Sequence, residues 1–122
     1  MEKRTLTITL QTDWQSALRQ AGKLAQRKAY QGETLNFQSP GSFFSRLTER
    51  RWAIINILQA QGAMGVRELA RQAGRDVKRV HEDAHVLLEL GLIERDEQGL
   101  LHCPYADIHV DMHIRPGETL AA

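Results

Sequence analysis

The stretch from residue 66 to residue 90 constrains the fold of this chain most, because two short amphipathic segments flank a glycine there. The first segment places apolar residues at i, i+3, i+4 and i+7, on one face of a helix: Val66, Leu69, Ala70 and Ala73. Gly74 can adopt the left-handed backbone conformation that a sharp turn requires, and Asp76 can cap the next helix through its side-chain oxygen. The pattern therefore predicts a helix-turn-helix.

The second predicted helix, from Asp76 to Leu90, changes character along its length. Lys78, Arg79 and Glu82 point away from the core in its first two turns, whereas Val86 and Leu90 add apolar residues to that face farther along. The core stripe consists of Val77, Val80, Ala84, Leu87 and Leu88. A recognition helix needs an exposed first part, which enters the major groove, and a second part that is anchored in the domain. The alternative interpretation of this pattern is an ordinary helical hairpin whose charged residues are solvated.

The neighbouring segments extend this pattern. Upstream, LTERRWAIINILQAQG predicts a helix with Thr48 as N-cap and Gly62 as C-cap. Downstream, LIERDEQGLLHCPY predicts a β-hairpin around a charged turn. This order of elements is that of a winged helix domain, in which Arg95 and Gln98 would lie on the wing and contact phosphate or the minor groove.

Three segments together resemble a family of short prokaryotic MarR-like winged helix-turn-helix regulators, some of which are antitoxin-type partners of a neighbouring toxin gene. The segments are FFSRLTERRWAIINILQ, GVRELARQAGRDVKRVHEDAHVLLELGLIERDEQG and CPYADIHVDM. The most specific motifs are RELARQAGRDVKRVH and PYADIHVD. The resemblance implies sequence-specific DNA binding. Glu82 departs from the family pattern, which has a basic residue after the histidine.

The predicted fold class is mainly α with a small β part (α+β). Residues 41–115 would form the winged helix-turn-helix domain, residues 1–40 a strand-helix extension for dimerisation or partner binding, and residues 116–122 a flexible tail. In the extension, Leu6, Ile8 and Leu10 share a strand face, and a helix with Trp14 runs from residue 13 to 32. Residues 31–44 link the extension to the winged helix. A C-terminal strand presents Ile108, Val110, Met112 and Ile114 on one face, and pairs within the sheet or across a dimer.

Charge is distributed unevenly over residues 66–90, although the chain as a whole carries a net charge of only +1. All the basic residues of this stretch precede His81, which leaves the start of the second helix positive. The predicted DNA-binding residues are Arg67, Arg71, Arg75, Lys78, Arg79, His81, Glu82, Arg95 and Gln98.

Other functional classes lack support in the sequence. The single cysteine, Cys103, excludes an intramolecular disulfide, and no stretch is apolar enough to cross a membrane or act as a signal peptide, so we expect a cytoplasmic protein. His109 and His113 would lie roughly 13 Å apart along a strand, too far to share one ion. We therefore expect no metal, no cofactor and no catalytic activity.

Three functional hypotheses follow. The first is a transcriptional regulator, acting as a repressor, that binds double-stranded DNA as a homodimer. The second is an antitoxin-like protein that binds a partner toxin through its N-terminal part and autoregulates its operon. The third is a winged helix used only for protein contacts, which Glu82 and the low net charge favour.

Overall fold

The structure is a computed structural model that describes residues 4–10 and 32–113 of the 122-residue chain. This part of the chain has an α+β architecture, as predicted. Its elements, in chain order, are β1 (Arg4–Leu10), β2 (Glu33–Phe37), α1 (Pro40–Arg46), α2 (Glu49–Gln61), α3 (Val66–Ala73), α4 (Val77–Leu90), β3 (Glu94–Arg95), β4 (Leu101–His102) and β5 (Tyr105–Asp111).

The chain divides into two compact units. The continuous unit is Leu47–Ala106, and the split unit combines Met1–Arg46 with Asp107–Ala122. The continuous unit is shorter than the predicted domain of residues 41–115. The difference arises at both ends, because α1 and most of β5 group with the N-terminal strands.

Helix α2 begins and ends where the sequence indicates. The side chain of Thr48 accepts a hydrogen bond from the backbone N of Arg51, and Gly62 ends the helix with φ +87°. Between them, α2 buries Ile54, Ile55 and Leu58 in the core of the continuous unit. Both predicted caps are thus confirmed.

Helices α3 and α4 are joined by a turn at Gly74, which has the left-handed conformation with φ +67°. The turn is closed by the backbone N of Arg75, which donates to the carbonyl of Ala70 at 3.1 Å. A Cβ built at Gly74 would meet no atom within 4 Å, so the backbone conformation alone favours glycine here.

Two details of α4 differ from the prediction. Asp76 occupies the N-cap position, but its side chain makes no capping hydrogen bond. Val77 is 41% exposed rather than buried, because it lies in the first turn, ahead of the part of the helix that packs on the core. The predicted core stripe is thus buried at Val80, Ala84 and Leu87, and Leu88 is half-buried.

Strands β3 and β4 form the predicted hairpin, with Arg95 opposite Leu101 in an antiparallel pair. Leu101 also forms a β-bridge with Met64, which lies in the segment between α2 and α3. The two backbone hydrogen bonds of this bridge are 2.8 and 3.0 Å long. Because Leu92, Ile93 and Leu101 are buried, the base of the hairpin is part of the core.

The described strands of the split unit form a sheet in the order β2-β1-β5, with β1 parallel to β2. Leu6 and Ile8 are buried and Leu10 is half-buried, so the predicted strand face of β1 is confirmed. The predicted linker at residues 31–44 is wrong, because it contains β2 and most of α1.

Strand β5 pairs with β1 in the sheet of the same chain, which is the first of the two pairings that the sequence left open. On its predicted apolar face, Val110 is exposed while Ile108 and Met112 are half-buried. Ile114, the tail at 116–122 and nearly all of the predicted helix from residue 13 to 32, with Trp14, lie outside the described residues.

Candidate nucleic-acid interface

The first turn of α4 presents two exposed cations, Lys78 and Arg79. Neither forms a hydrogen bond or an ion pair with any residue that the structure describes. The opposite face of the same helix is fixed, since Val80 is fully buried and Ala84 and Leu87 continue its stripe. The two cations are therefore held on a rigid backbone while their side chains remain available for a ligand.

Behind this turn, the carboxylate of Asp83 connects three parts of the continuous unit. Its Oδ1 accepts a hydrogen bond from Nε of Arg51 on α2 at 3.0 Å, and its Oδ2 lies 2.8 Å from Nη1 of Arg75 in the turn before α4. The three side chains are only 15–19% exposed. We call Arg51, Arg75 and Asp83 the arginine clamp, because it ties the start of α4 to α2.

Arg75 thus differs from the other predicted DNA contacts. Its side chain is 18% exposed and paired with Asp83, so it supports the start of α4 rather than projecting from it. Arg51 and Asp83 were missed by the sequence analysis. They are far apart in sequence, and no local pattern distinguishes them from the other charged residues of their helices.

Helix α3 carries two further cations, one without a partner among the described residues and one in an ion pair. Arg67 is exposed and has no partner among the described residues. Arg71 forms a bidentate contact with Glu68, which also accepts a hydrogen bond from Gln72 at 3.1 Å. The hydrogen bonds from Arg71 and then Gln72 lower the pKa of Glu68 to about 2, and the same contact raises the pKa of Arg71.

The turn of the β3–β4 hairpin is closed by the side chain of Asp96. Its Oδ1 accepts hydrogen bonds from the backbone N of Gln98 and of Leu100, both at 2.9 Å. Arg95 and Gln98 are exposed, and Arg95 Nη1 donates to the carbonyl of Gly99 at 3.3 Å. Both predicted wing residues are thus on the surface of a turn with a defined backbone.

The rest of the exposed face of α4 is mixed in charge. His81 and Glu82 are exposed without a partner among the described residues, and His85 lies 3.1 Å from Glu89 one turn later. Positive charge is therefore restricted to the start of the helix. This restriction limits any anionic ligand to the end of α4 that carries Lys78 and Arg79.

The described part of the chain is also predicted to hold no metal ion and to cross no membrane. Within residues 4–10 and 32–113, no three histidine, cysteine or acidic side chains lie close enough together to hold a metal ion. Cys103 is half-buried, and this burial raises the pKa of its thiol. No helix among these residues has both the length and the apolar character needed to cross a membrane.

Comparison with known proteins identifies a family. The model of the HVO_A0114 family matches residues 46–110, which is more than half of the chain, and the chain therefore belongs to this family. The match covers the whole continuous unit. Its description does not mention MarR-like regulators, so that resemblance stays a prediction. No curated protein and no solved structure matches the chain significantly.

Proposed function

We propose that this member of the HVO_A0114 family is a sequence-specific DNA-binding transcriptional regulator that acts as a repressor in the cytoplasm. In this proposal the continuous unit is a winged helix-turn-helix. Helix α4 is its recognition helix, and the β3–β4 hairpin is its wing. The order of elements supports the assignment: a helix, a bridging segment at Met64, two helices about a left-handed glycine, and a hairpin.

One observation carries the proposal: Lys78 and Arg79 are exposed and unpaired among the described residues, on the first turn of a helix with a buried opposite face. By contrast, Arg71 on α3 is paired with Glu68, and Arg75 in the turn before α4 is paired with Asp83. An arginine at this position can donate two hydrogen bonds to a guanine edge in the major groove, and a lysine can bind phosphate. Arg67, Arg95 and Gln98 would add contacts from α3 and the wing.

The test is binding of the purified protein to duplex DNA from the region upstream of its own gene, followed by fluorescence anisotropy. Selection from random duplexes would show which sequence is preferred. Arg79→Ala should weaken specific binding by roughly 10- to 100-fold, because a base-reading arginine contributes about 1–3 kcal/mol. Arg79→Lys keeps the charge but loses the planar guanidinium group that donates two hydrogen bonds. It should therefore reduce the preference of the protein for one DNA sequence more than it reduces the salt dependence of binding.

Arg50→Ala provides the matched control, since Arg50 is another exposed arginine of the continuous unit but lies on α2. It should change specific affinity less than threefold. If Arg79→Ala retains the affinity and salt dependence of the unchanged protein, α4 is not the recognition helix. If selection enriches no sequence, the protein is not a sequence-specific regulator.

The proposal includes a homodimer, because one winged helix covers few base pairs and two-fold symmetry gives two half-sites. An antitoxin-like role would add a toxin as a protein partner, which co-purification with the product of an adjacent gene would detect.

The exposed carboxylates of Glu82 and Glu89 favour a further candidate, a unit that binds only protein. Glu82→Gln distinguishes the two. It should strengthen DNA binding severalfold if α4 faces DNA, whereas a unit that binds only protein should show no specific DNA binding with either residue.

A further inference from the structure

We propose that two copies of this chain associate through the outer edge of β5, by antiparallel pairing of residues 107–113 about Val110. Within the described part of the chain, β5 lies at one end of the sheet order β2-β1-β5 and has β1 as its strand neighbour. The opposite edge of such a strand presents backbone N–H and C=O groups that can pair with another strand.

Most side chains of the seven-residue strand β5 are exposed to solvent. After Tyr105, which is buried, every residue of the strand is exposed except the half-buried Ile108. Val110 is 38% exposed and is one of three large apolar residues that the described chain exposes. Edge strands that stay unpaired are protected by charged side chains, above all lysine, by proline or by a bulge. Residues 106–113 contain no lysine and no proline, and their charged side chains are Asp107 and Asp111.

The register about Val110 gives the largest number of complementary pairs in the segment that consists of β5 and the two residues that follow it, Met112 and His113. Asp107, His109, Asp111 and His113 alternate with apolar residues. When two strands pair antiparallel about Val110, Asp107 lies opposite His113 and His109 lies opposite Asp111, and symmetry repeats both pairs. On the other face Ile108 lies opposite Met112, and Val110 lies opposite itself.

Other registers keep fewer such pairs: a centre at Ile108 retains only Asp107 opposite His109, and a centre at Met112 retains, within the described residues, only Asp111 opposite His113. If the centre moves to His109, Asp107 lies opposite Asp111, and if it moves to Asp111, that carboxylate lies opposite its own copy. A centre between two residues places aspartate and histidine opposite apolar side chains. Like charges that face each other across a strand pair are destabilising, whereas a carboxylate accepts a hydrogen bond from an imidazole N–H. The occupant that fits this edge best is therefore a second copy of β5.

This inference rests on the homodimer of the proposed function but not on DNA binding, and its test contains no DNA. Cysteine cross-linking in a Cys103→Ser background reads the register directly. Val110→Cys places two thiols directly opposite, at a Cβ separation of roughly 5 Å that is close to disulfide geometry. His109→Cys is the control, because its two copies would lie diagonally at roughly 7–8 Å.

Under mild oxidation we expect a disulfide-linked dimer for Val110→Cys that forms at least roughly tenfold faster than for His109→Cys. Equal rates would indicate random collision and would overturn the register. A dimer by light scattering with neither cross-link would assign the interface to another segment. A monomer at tens of micromolar would refute both the homodimer and this surface, and would leave DNA binding to be judged separately.

A charge exchange tests the same register without cross-linking. His109→Asp places aspartate opposite Asp111 in two symmetry-related pairs and should raise the Kd of the dimer roughly tenfold. The double variant His109→Asp with Asp111→His restores opposite pairs and should recover most of the affinity. If the double variant is as weak as the single one, or if the single variant is unchanged, the register is wrong. Circular dichroism of each variant verifies that the chain is folded.

Discussion

Removal of the carboxylate of the arginine clamp should destabilise the continuous unit strongly. Asp83→Ala leaves the guanidinium groups of Arg51 and Arg75 without this carboxylate, although their side chains are only 19% and 18% exposed. A hydrogen bond to a charged group contributes about 1.5–3 kcal/mol, and breaking a fully buried ion pair costs about 3–5 kcal/mol. Since these groups are close to the surface and partly screened, we expect a loss of about 2–3 kcal/mol in the free energy of unfolding.

Urea denaturation followed by circular dichroism measures this loss. Glu82→Ala is the matched control, because Glu82 is the preceding residue of α4, is exposed and has no partner among the described residues. The control should lie within about 0.5 kcal/mol of the unchanged protein. A triple variant with Arg51→Met, Arg75→Met and Asp83→Leu should recover much of the stability, because it removes the buried charges together.

The reasoning fails if Asp83→Ala and Glu82→Ala unfold at the same urea concentration. It also fails if the losses of unfolding free energy caused by Arg51→Met and Asp83→Leu are additive in a double-mutant cycle. Two groups that contact each other should show a coupling energy of about 0.5 kcal/mol or more.

Three further perturbations address the turn, the wing and the surface ion pair. Gly74→Ala should cost about 1 kcal/mol in thermal unfolding, and Gly74→Val more, because only the positive φ opposes a side chain there; full stability for both would show a relaxed turn. Asp96→Ala removes the two hydrogen bonds that the side chain accepts from the backbone of the hairpin. Amide hydrogen exchange in the β3–β4 hairpin should become faster, and DNA binding through Arg95 should become weaker. If neither changes, Asp96 does not hold the turn. The carboxylate of Glu68 has a lowered folded-state pKa of about 2, so its contribution is present above its ordinary value near 4.5 and is lost as the pH falls towards 2. An acid titration of Glu68→Gln should therefore lack this component, and equal titrations would show that the contact with Arg71 contributes nothing.

Features set by local chemistry could be predicted from the sequence. Thr48 and Gly62 cap α2, and Gly74 adopts the left-handed turn, because each depends on a few neighbouring backbone groups. The hairpin was predicted for the same reason, since Asp96 and Gly99 can close a turn whatever surrounds them. The exposure of Lys78 and Arg79 followed from helical periodicity alone.

Features that depend on distant partners could not be predicted in this way. The sequence does not distinguish strand β2 from a linker, because its parallel pairing with β1 joins residues that are far apart in the chain, such as Leu6 and Glu33. The pairing of Arg75 with Asp83 cannot be predicted either, because nothing near Arg75 in the sequence indicates this carboxylate. Val77 fits the apolar period of α4, but periodicity does not tell where along its length a helix meets the core.

The order of strands in the split unit has a consequence for synthesis of the chain. Strand β1 ends at Leu10, yet its neighbour β5 begins only at Tyr105, after the whole continuous unit. The helices and hairpin of that unit have their partners nearby in sequence and can fold while the ribosome is still translating. A product that terminates before Tyr105 would thus carry a folded helical unit together with a β1 strand whose β5-facing edge is open. Such an edge invites aggregation and proteolysis until β5 pairs with it.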